Sequence, residues 1–147
     1  MSASPADRDR GSHWTVAVGG IMGALGVLVG AFGAHGLDEF LLGSGLNAAK
    51  VAERLDQFDV AARYHLVHAV ALLGSANLPQ LSPRARWLAF LFFTAGIVLF
   101  SGSLYLLVIT NTPWLGAITP LGGVSWIIAW CTIAVSALGS RSRPASG

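Results

Sequence analysis

The sequence predicts an all-α membrane protein, built as a bundle of four transmembrane helices with a short amphipathic helix between the first and the second. Of 147 residues, 54% are hydrophobic and only 11% are charged, and the mean hydropathy is +0.64. Soluble domains have about 25% charged residues. Charge-free stretches of membrane-spanning length also recur along the chain, without the period-two alternation of a membrane β-barrel.

Charges and prolines delimit the first two predicted helices. Residues 14–34 carry no charge and would extend about 31 Å as a helix, close to the roughly 30 Å of a hydrocarbon core. The first predicted helix is therefore 14–35. The second is 61–78, which Pro79 and Pro83 bring to an end.

Residues 87–140 contain no charge, which is too long a stretch for one crossing, and the sequence NTPWLGAITP divides it. Asn111 and Pro113 end the third predicted helix, 87–110. Thr119 as N-cap and Pro120 at the first helical position begin the fourth, 120–139.

The connection between the first two helices has a helical period of its own, over residues 47–59. Apolar residues recur there at spacings of three and four, and Arg54 falls on the opposite, polar face. This pattern predicts an amphipathic helix along the outer membrane surface that bends into the second crossing. Asp59 and Arg63, four residues apart, are expected to form an ion pair.

The arginines predict the orientation. With four crossings, the polar N-terminal tail (1–13), the loop at Arg84 and Arg86, and the polar C-terminal tail (141–147) share one side of the membrane. Carboxylates outnumber cations on the other side, so both termini are predicted to be cytoplasmic. The first apolar stretch exceeds the length of a signal-peptide core, so we expect it to be retained.

Small residues form two seams that predict helix packing. In the first helix five glycines recur at steps of four and three: Gly19, Gly23, Gly26, Gly30 and Gly33. The fourth helix repeats this rhythm with Gly122, Ser125 and Ala129. Because small residues let helix backbones approach closely in lipid, we expect the first and last helices to pack, either together or against another copy.

Polar residues collect in the halves of the helices that the predicted topology places outside. The candidate cluster is His35, Arg63, Tyr64, His65, His68, Ser101, Ser103, Tyr105 and Thr119. Its members could satisfy one another as a structural network, bind a lipid headgroup or quinone, or relay protons or ions. A metal site at His35, His65 and His68, with Asp38 or Asp59, is a further alternative, since imidazole suits zinc, copper and iron.

Four stretches, GAFGAHGL, YHLVHAVALL, LFSGSLYLL and ITPLGGVSW, give the chain a resemblance to a known family. It resembles the YgdD-like family of small inner-membrane proteins, a domain of unknown function. The resemblance implies a four-helix, multi-pass protein of the bacterial inner (plasma) membrane without an assigned activity. It also implies that glutamine is accepted at the position of His65, which argues against a role that needs all three histidines.

Other features of the sequence argue against several classes of function and favour a structural role. The single cysteine, Cys131, allows no disulfide, and the scattered arginines argue against nucleic-acid binding. No nucleophile motif or phosphate loop is present, so we expect no enzyme and no cofactor. Trp87, Trp114 and Trp126 are interpreted as interfacial aromatics. The sequence thus favours a structural or accessory subunit, as a homo-oligomer or in a larger membrane complex, over a small-molecule binder or transporter.

Overall fold

A computed structural model describes residues 5–140, with side chains over 13–139, and every regular element in that range is helical. The elements run in the order α1 (Pro5–His35), α2 (Leu37–Gly43), α3 (Ala48–Ala76), α4 (Pro83–Gly96), a π-helical segment (Ile97–Gly102), α5 (Ser103–Thr110), a 3-10 turn (Pro113–Ala117) and α6 (Thr119–Ser140). The all-α prediction is confirmed. The C-terminal tail, 141–147, and residues 1–4 lie outside the described residues.

The first helix is longer than the sequence suggested. It ends at His35, as the predicted helix does, but it begins at Pro5, so much of the predicted polar tail is helical. A short helix that the sequence did not reveal, α2, follows after Gly36. Gly45 then adopts a φ of +78°, a left-handed conformation that favours glycine, and turns the chain into α3.

The predicted amphipathic helix, 47–59, and the predicted second helix, 61–78, are one continuous helix, α3. No break in helical structure separates the two predicted segments. Asn47 caps the start of α3, its side chain accepting a hydrogen bond from the backbone N–H of Lys50 at 2.9 Å. Residues 48–73 contain neither glycine nor proline, so no local signal interrupts the helix where its composition changes from polar to apolar.

The third predicted helix is divided in an unexpected way. It starts at Pro83, where Ser82 caps the helix and proline occupies the first turn. Residues 97–102 are wound as a π-helix, a feature that often occurs at functional sites. Asn111 ends α5 in a left-handed conformation, with a φ of 48°.

Neighbouring helices run antiparallel, and each packs against the next. A Cβ at Gly19, Gly26 or Gly33 of α1 would collide with α3, at Leu73, Leu66 and Phe58 respectively. Helix α3 in turn contacts α4, the π segment and α5, and α6 packs on α4 and the π segment. The first and last helices therefore pack mainly on different neighbours and not on each other.

The bundle has two distinct ends. The α2 end holds α2, the start of α3 and the 3-10 turn, and the opposite end holds the start of α1, the end of α3 and the start of α4. In the described part of the chain, three stretches are long and apolar enough to cross a membrane: His13–His35, Pro83–Thr110 and Pro113–Gly139. Helix α3, which carries six charged residues before Tyr64, is not among them.

Candidate functional site

The centre of the bundle is an aromatic cluster around His68. The imidazole lies against the indole of Trp126, with ring centroids 3.7 Å apart and planes within 2°. The Tyr64 ring is nearly parallel to both, and Phe93 and Phe100 close the sides. Trp126 is 4% exposed. Its interpretation as an interfacial residue is therefore wrong, because its ring fills the space between α3, α4 and α6.

Two hydrogen bonds determine the tautomer of His68. Its Nδ1 lies 2.8 Å from the carbonyl oxygen of Tyr64, which can only accept, so Nδ1 carries the proton. The indole Nε1–H of Trp130 lies 3.4 Å from Nε2 and can only donate, so Nε2 is the acceptor. This arrangement describes a neutral imidazole, since an imidazolium would place two N–H donors face to face at Trp130.

His65 lies one turn away and faces different helices. Its Nδ1 is 3.3 Å from the hydroxyl of Tyr105 on α5. Its ring also lies against Gly26 of α1. Its Nε2 is buried and meets no hydrogen-bond geometry with any described group. The two histidines thus contribute to different contacts, His65 to α1 and α5 and His68 to α6.

The serines of the candidate cluster join helices through backbone carbonyls. Ser101, fully buried in the π segment, donates to the carbonyl of Ala61 on α3 at 2.9 Å. Ser103 donates to the carbonyl of Phe100 at 3.0 Å, and its oxygen is 3.0 Å from the hydroxyl of Thr119. Each hydroxyl therefore has a partner within the bundle. Helix α6 begins at Thr119 itself, one residue before the predicted start, and the Thr119 hydroxyl contacts Ser103 on α5.

Two members of the predicted cluster lie outside it. The side chain of His35 is exposed at the end of α1, and that of Arg63 is exposed on α3, where it forms an ion pair with Asp59 at 2.8 Å. Over the described residues, no three histidine, cysteine or acidic side chains are close enough together to hold a metal ion. The structure does not assemble the set His35, His65 and His68.

The histidines also lie deeper than the sequence indicated. Gly26, near the middle of the apolar stretch His13–His35, lies against His65 and Leu66. Because α3 begins sixteen residues before Tyr64, His65 and His68 fall at the mid-depth of α1 and not near its outer end. The prediction that the polar groups share the outer half of the bundle therefore fails for the two histidines.

The glycine seam of α1 is divided between two faces. Gly19, Gly26 and Gly33, spaced by seven, are covered by α3, whereas a Cβ at Gly23 or Gly30 would meet no described atom within 4 Å. On α6 a Cβ at Gly122 would collide with the backbone of Phe100 in the π segment. Ser125 donates to the carbonyl of Phe92 at 2.8 Å, and Ala129 is fully buried.

A buried arginine at the α2 end was missed by the sequence reasoning. Arg54 is 1% exposed, and its Nε and Nη2 atoms donate to the side-chain oxygen of Asn111 at 3.2 and 2.7 Å. Its Nη1 donates to Gln57 at 2.8 Å and to Glu53 at 3.3 Å. The sequence placed Arg54 on the polar face of an amphipathic helix, which predicts an exposed side chain. In the structure the end of α5 covers that face, so Arg54 is buried.

Long apolar helices, a core held together by ring contacts, and serines bonded to backbone carbonyls define a helical membrane protein. The comparisons with known proteins agree. The model of a family described as "Protein of unknown function (DUF423)" matches residues 29–123, and the chain belongs to this family.

Its curated relatives are named as membrane proteins. The UPF0382 membrane protein YwdK of Bacillus subtilis is 43% identical over 84% of this chain and 94% of its own length. The UPF0382 inner membrane protein YgdD of Escherichia coli is 31% identical over 92% of this chain and 97% of its own. A UPF0382 membrane protein of Haemophilus influenzae is 33% identical over 79% and 86%. No solved structure matches the chain.

Proposed function

We propose that the protein is a structural or accessory subunit of the inner membrane, which docks a partner helix on the open face of α1. The observation that carries this proposal is the division of the glycine seam: Gly19, Gly26 and Gly33 are used within the bundle, while Gly23 and Gly30 leave backbone uncovered. Helix interfaces in lipid are enriched in small residues, which let two backbones approach closely and gain van der Waals contacts.

The neighbouring residues extend that open face. Gly20 has open space around it, and Ala24, Ala31 and Ala34 are exposed on the same helix. The polar groups at the centre of the bundle are, by contrast, largely bonded to one another and to backbone carbonyls. This favours a rigid scaffold with an external contact surface over a protein whose interior handles a ligand.

We also propose four crossings with both termini in the cytoplasm. Contacts of α3 with Gly19 and Gly33 support the fourth crossing, because a helix that lies along α1 over this length passes through the same depth of the membrane. Arg84 and Arg86 lie at the end of the bundle that holds the start of α1, and Asp38 and Glu39 lie at the α2 end. This distribution favours a cytoplasmic end at the termini, consistent with the inner-membrane name of the Escherichia coli relative.

Native membranes extracted in mild detergent provide the test of the docking surface. We expect the wild-type protein to migrate as an assembly larger than one 15.3 kDa chain. Gly23→Leu and Gly30→Leu should reduce it to a single chain. Gly74→Leu is the matched control, since this glycine of α3 also has no described neighbour within 4 Å. A wild-type protein that is already a single chain, or variants of unchanged size, would contradict the proposal.

Labelling of introduced cysteines tests the topology. In a Cys131→Ser background, Ser44→Cys at the α2 end should react with a membrane-impermeant maleimide in intact cells whose outer membrane has been permeabilised. Gln80→Cys, at the opposite end, should react only after the inner membrane is opened. The reverse pattern would place the termini outside. Reaction of both cysteines in intact cells would put residues 44 and 80 on the same side and exclude a single crossing by α3 between them.

The second hypothesis, a small-molecule site at the histidine and hydroxyl cluster, rests on one observation. The buried Nε2 of His65 lacks a hydrogen bond among the described groups. His65→Gln retains a polar atom near that position, and His65→Leu removes it. If the protein retains a lipid, quinone or metal through purification, loss of that molecule in His65→Leu alone would favour this hypothesis.

A further inference from the structure

A cavity of about 460 Å³ lies at the α2 end, between α3, α5, the 3-10 turn and the start of α6. Its two walls differ in chemistry. The α3 wall carries Lys50, Glu53, Arg54 and Gln57, which fall on one face of the helix. The facing wall is apolar and includes Phe100, Leu104 and Leu107. The docking surface proposed on α1 does not include this cavity.

The charges on the polar wall do not cancel. Lys50 donates to Glu53 at 2.9 Å, and Arg54 donates to the same carboxylate at 3.3 Å. The Lys50 ammonium, as a hydrogen-bond donor, holds the pKa of the Glu53 carboxyl below its usual range, so this carboxylate is ionised at neutral pH. Two cations thus share one anion, and the wall has a surplus of one positive charge.

The surplus charge is poorly compensated because Arg54 is buried. Its other partners, Asn111 and Gln57, are neutral amides. A guanidinium out of water gains most from a full anionic partner, and Glu53, which is half exposed, divides its carboxylate between two donors. Lys50, with about a third of its side chain exposed, is the cation that a ligand can reach.

The apolar wall indicates which kind of ligand would fit the cavity. From Leu107 to Phe100 it descends seven residues, or roughly 10 Å along a helix, away from the α2 end and toward the middle of the bundle. A molecule that fills the cavity therefore has a singly charged anionic group near Lys50 and an apolar part that extends into the membrane.

We infer that this cavity binds the phosphodiester headgroup of an acidic membrane lipid, with one acyl chain against the apolar wall. One phosphodiester carries the single negative charge that the wall lacks. A lipid such as phosphatidylglycerol brings no ammonium group, and the cavity offers no second carboxylate to receive one.

Thermal unfolding of the purified protein in neutral detergent tests the inference. Short-chain phosphatidylglycerol should raise the midpoint with increasing concentration, as expected for a ligand that binds the native state. Phosphatidylcholine of the same chain length and glycerol 3-phosphate should not. In Lys50→Gln the apparent affinity for phosphatidylglycerol should fall roughly fivefold, which is the scale of one exposed charge contact.

Two further variants separate the site from general effects. Gly116→Leu adds bulk beside Leu107, where even a Cβ would lie 3.4 Å from the leucine side chain, and should block the lipid response. Arg63→Gln removes an equal charge from an exposed position of α3 and should retain the full response.

Several results would overturn the inference. An equal response to phosphatidylcholine would show that the headgroup charge is not recognised, and an equal response to glycerol 3-phosphate would assign the cavity to a free phosphate. A response that Arg63→Gln reduces as much as Lys50→Gln would place the lipid elsewhere. If Gly116→Leu fails to fold, the comparison of Lys50→Gln with Arg63→Gln still shows whether the lipid binds in this cavity.

Discussion

The imidazole of His68 and the indole of Trp126 are stacked at 3.7 Å, although 58 positions of the chain separate them. Trp126 fits there because Gly96, on α4, has no side chain: a Cβ at Gly96 would collide with the indole ring. Its Nε1–H also donates to the carbonyl of Phe93 at 3.3 Å. One indole therefore joins α3, α4 and α6 at the centre of the bundle.

Trp126→Ala should remove this connection and lower the free energy of unfolding by about 3 kcal/mol, the usual scale for truncating a buried aromatic residue. Trp114→Ala, at a side chain that is 66% exposed, should cost less than about 1 kcal/mol. Reversible unfolding in detergent, followed by circular dichroism, measures both. Equal losses for the two variants would mean that Trp126 does not hold the centre together.

The hydrogen bonds of His68 predict a specific tautomer that spectroscopy can observe. With ¹⁵N-labelled histidine, the nitrogen signals of His68 should show a protonated Nδ1 and an unprotonated Nε2 at neutral pH. Trp130→Phe removes the donor to Nε2 while keeping an aromatic ring, and should shift the Nε2 signal and destabilise the protein by about 1 kcal/mol. A protonated Nε2 in the wild-type protein would contradict the assignment.

Adjacent glycines on α6 provide a matched pair. A Cβ at Gly122 would collide with the backbone of Phe100, which cannot move aside as a side chain could, whereas a Cβ at Gly123 would lie 4.0 Å from the nearest atom of the Phe100 ring. Gly122→Ala should therefore destabilise the protein by about 1–3 kcal/mol. Gly123→Ala should be neutral or stabilise it by up to about 1 kcal/mol, because alanine favours the helix. Similar losses in thermal unfolding would contradict the close approach.

Asn111 combines two roles that substitutions can separate. It accepts two hydrogen bonds from the buried Arg54 and holds a φ of 48°, which most residues avoid. Asn111→Ala loses both roles and should cost about 3 kcal/mol. Asn111→Gly keeps the backbone freedom and should cost less, and Asn111→Asp keeps an acceptor beside the guanidinium and should cost least. A different order in unfolding experiments would show that Arg54 does not depend on this residue.

The sequence indicated the C-terminal ends of the helices better than their starts or the packing between them. Helix α1 ends at His35 and α5 at Thr110, the predicted residues, because glycine, proline and asparagine act on the local backbone. The burial of Trp126 and Arg54 depends on which helix lies opposite, and no local pattern specifies this. The depth of His65 and His68 was misjudged for the same reason, since it follows from the continuity of α3 and its alignment with α1.

The candidate site was predicted in part. A structural network of polar side chains was one alternative that the sequence offered, and three hydroxyls make such contacts between helices: Ser101, Ser103 and Thr119. A hydroxyl in an apolar helix needs a nearby carbonyl or hydroxyl as its partner. His35 and Arg63 were grouped with them by position along the chain alone. Their side chains are exposed, and a chain position near a helix end does not specify which way a side chain faces.

The π segment has a consequence for how the chain tolerates changes in length. Winding residues 97–102 as a π-helix accommodates one residue more than an α-helix of the same rise would hold. Deletion of a single residue there could be absorbed by rewinding to an α-helix, with α4 and α5 still presenting their present faces to α3. The same deletion elsewhere in these helices would rotate every residue beyond it by about 100° around the axis. This turn is therefore the place between α4 and α5 where the chain can lose a residue without losing the fold.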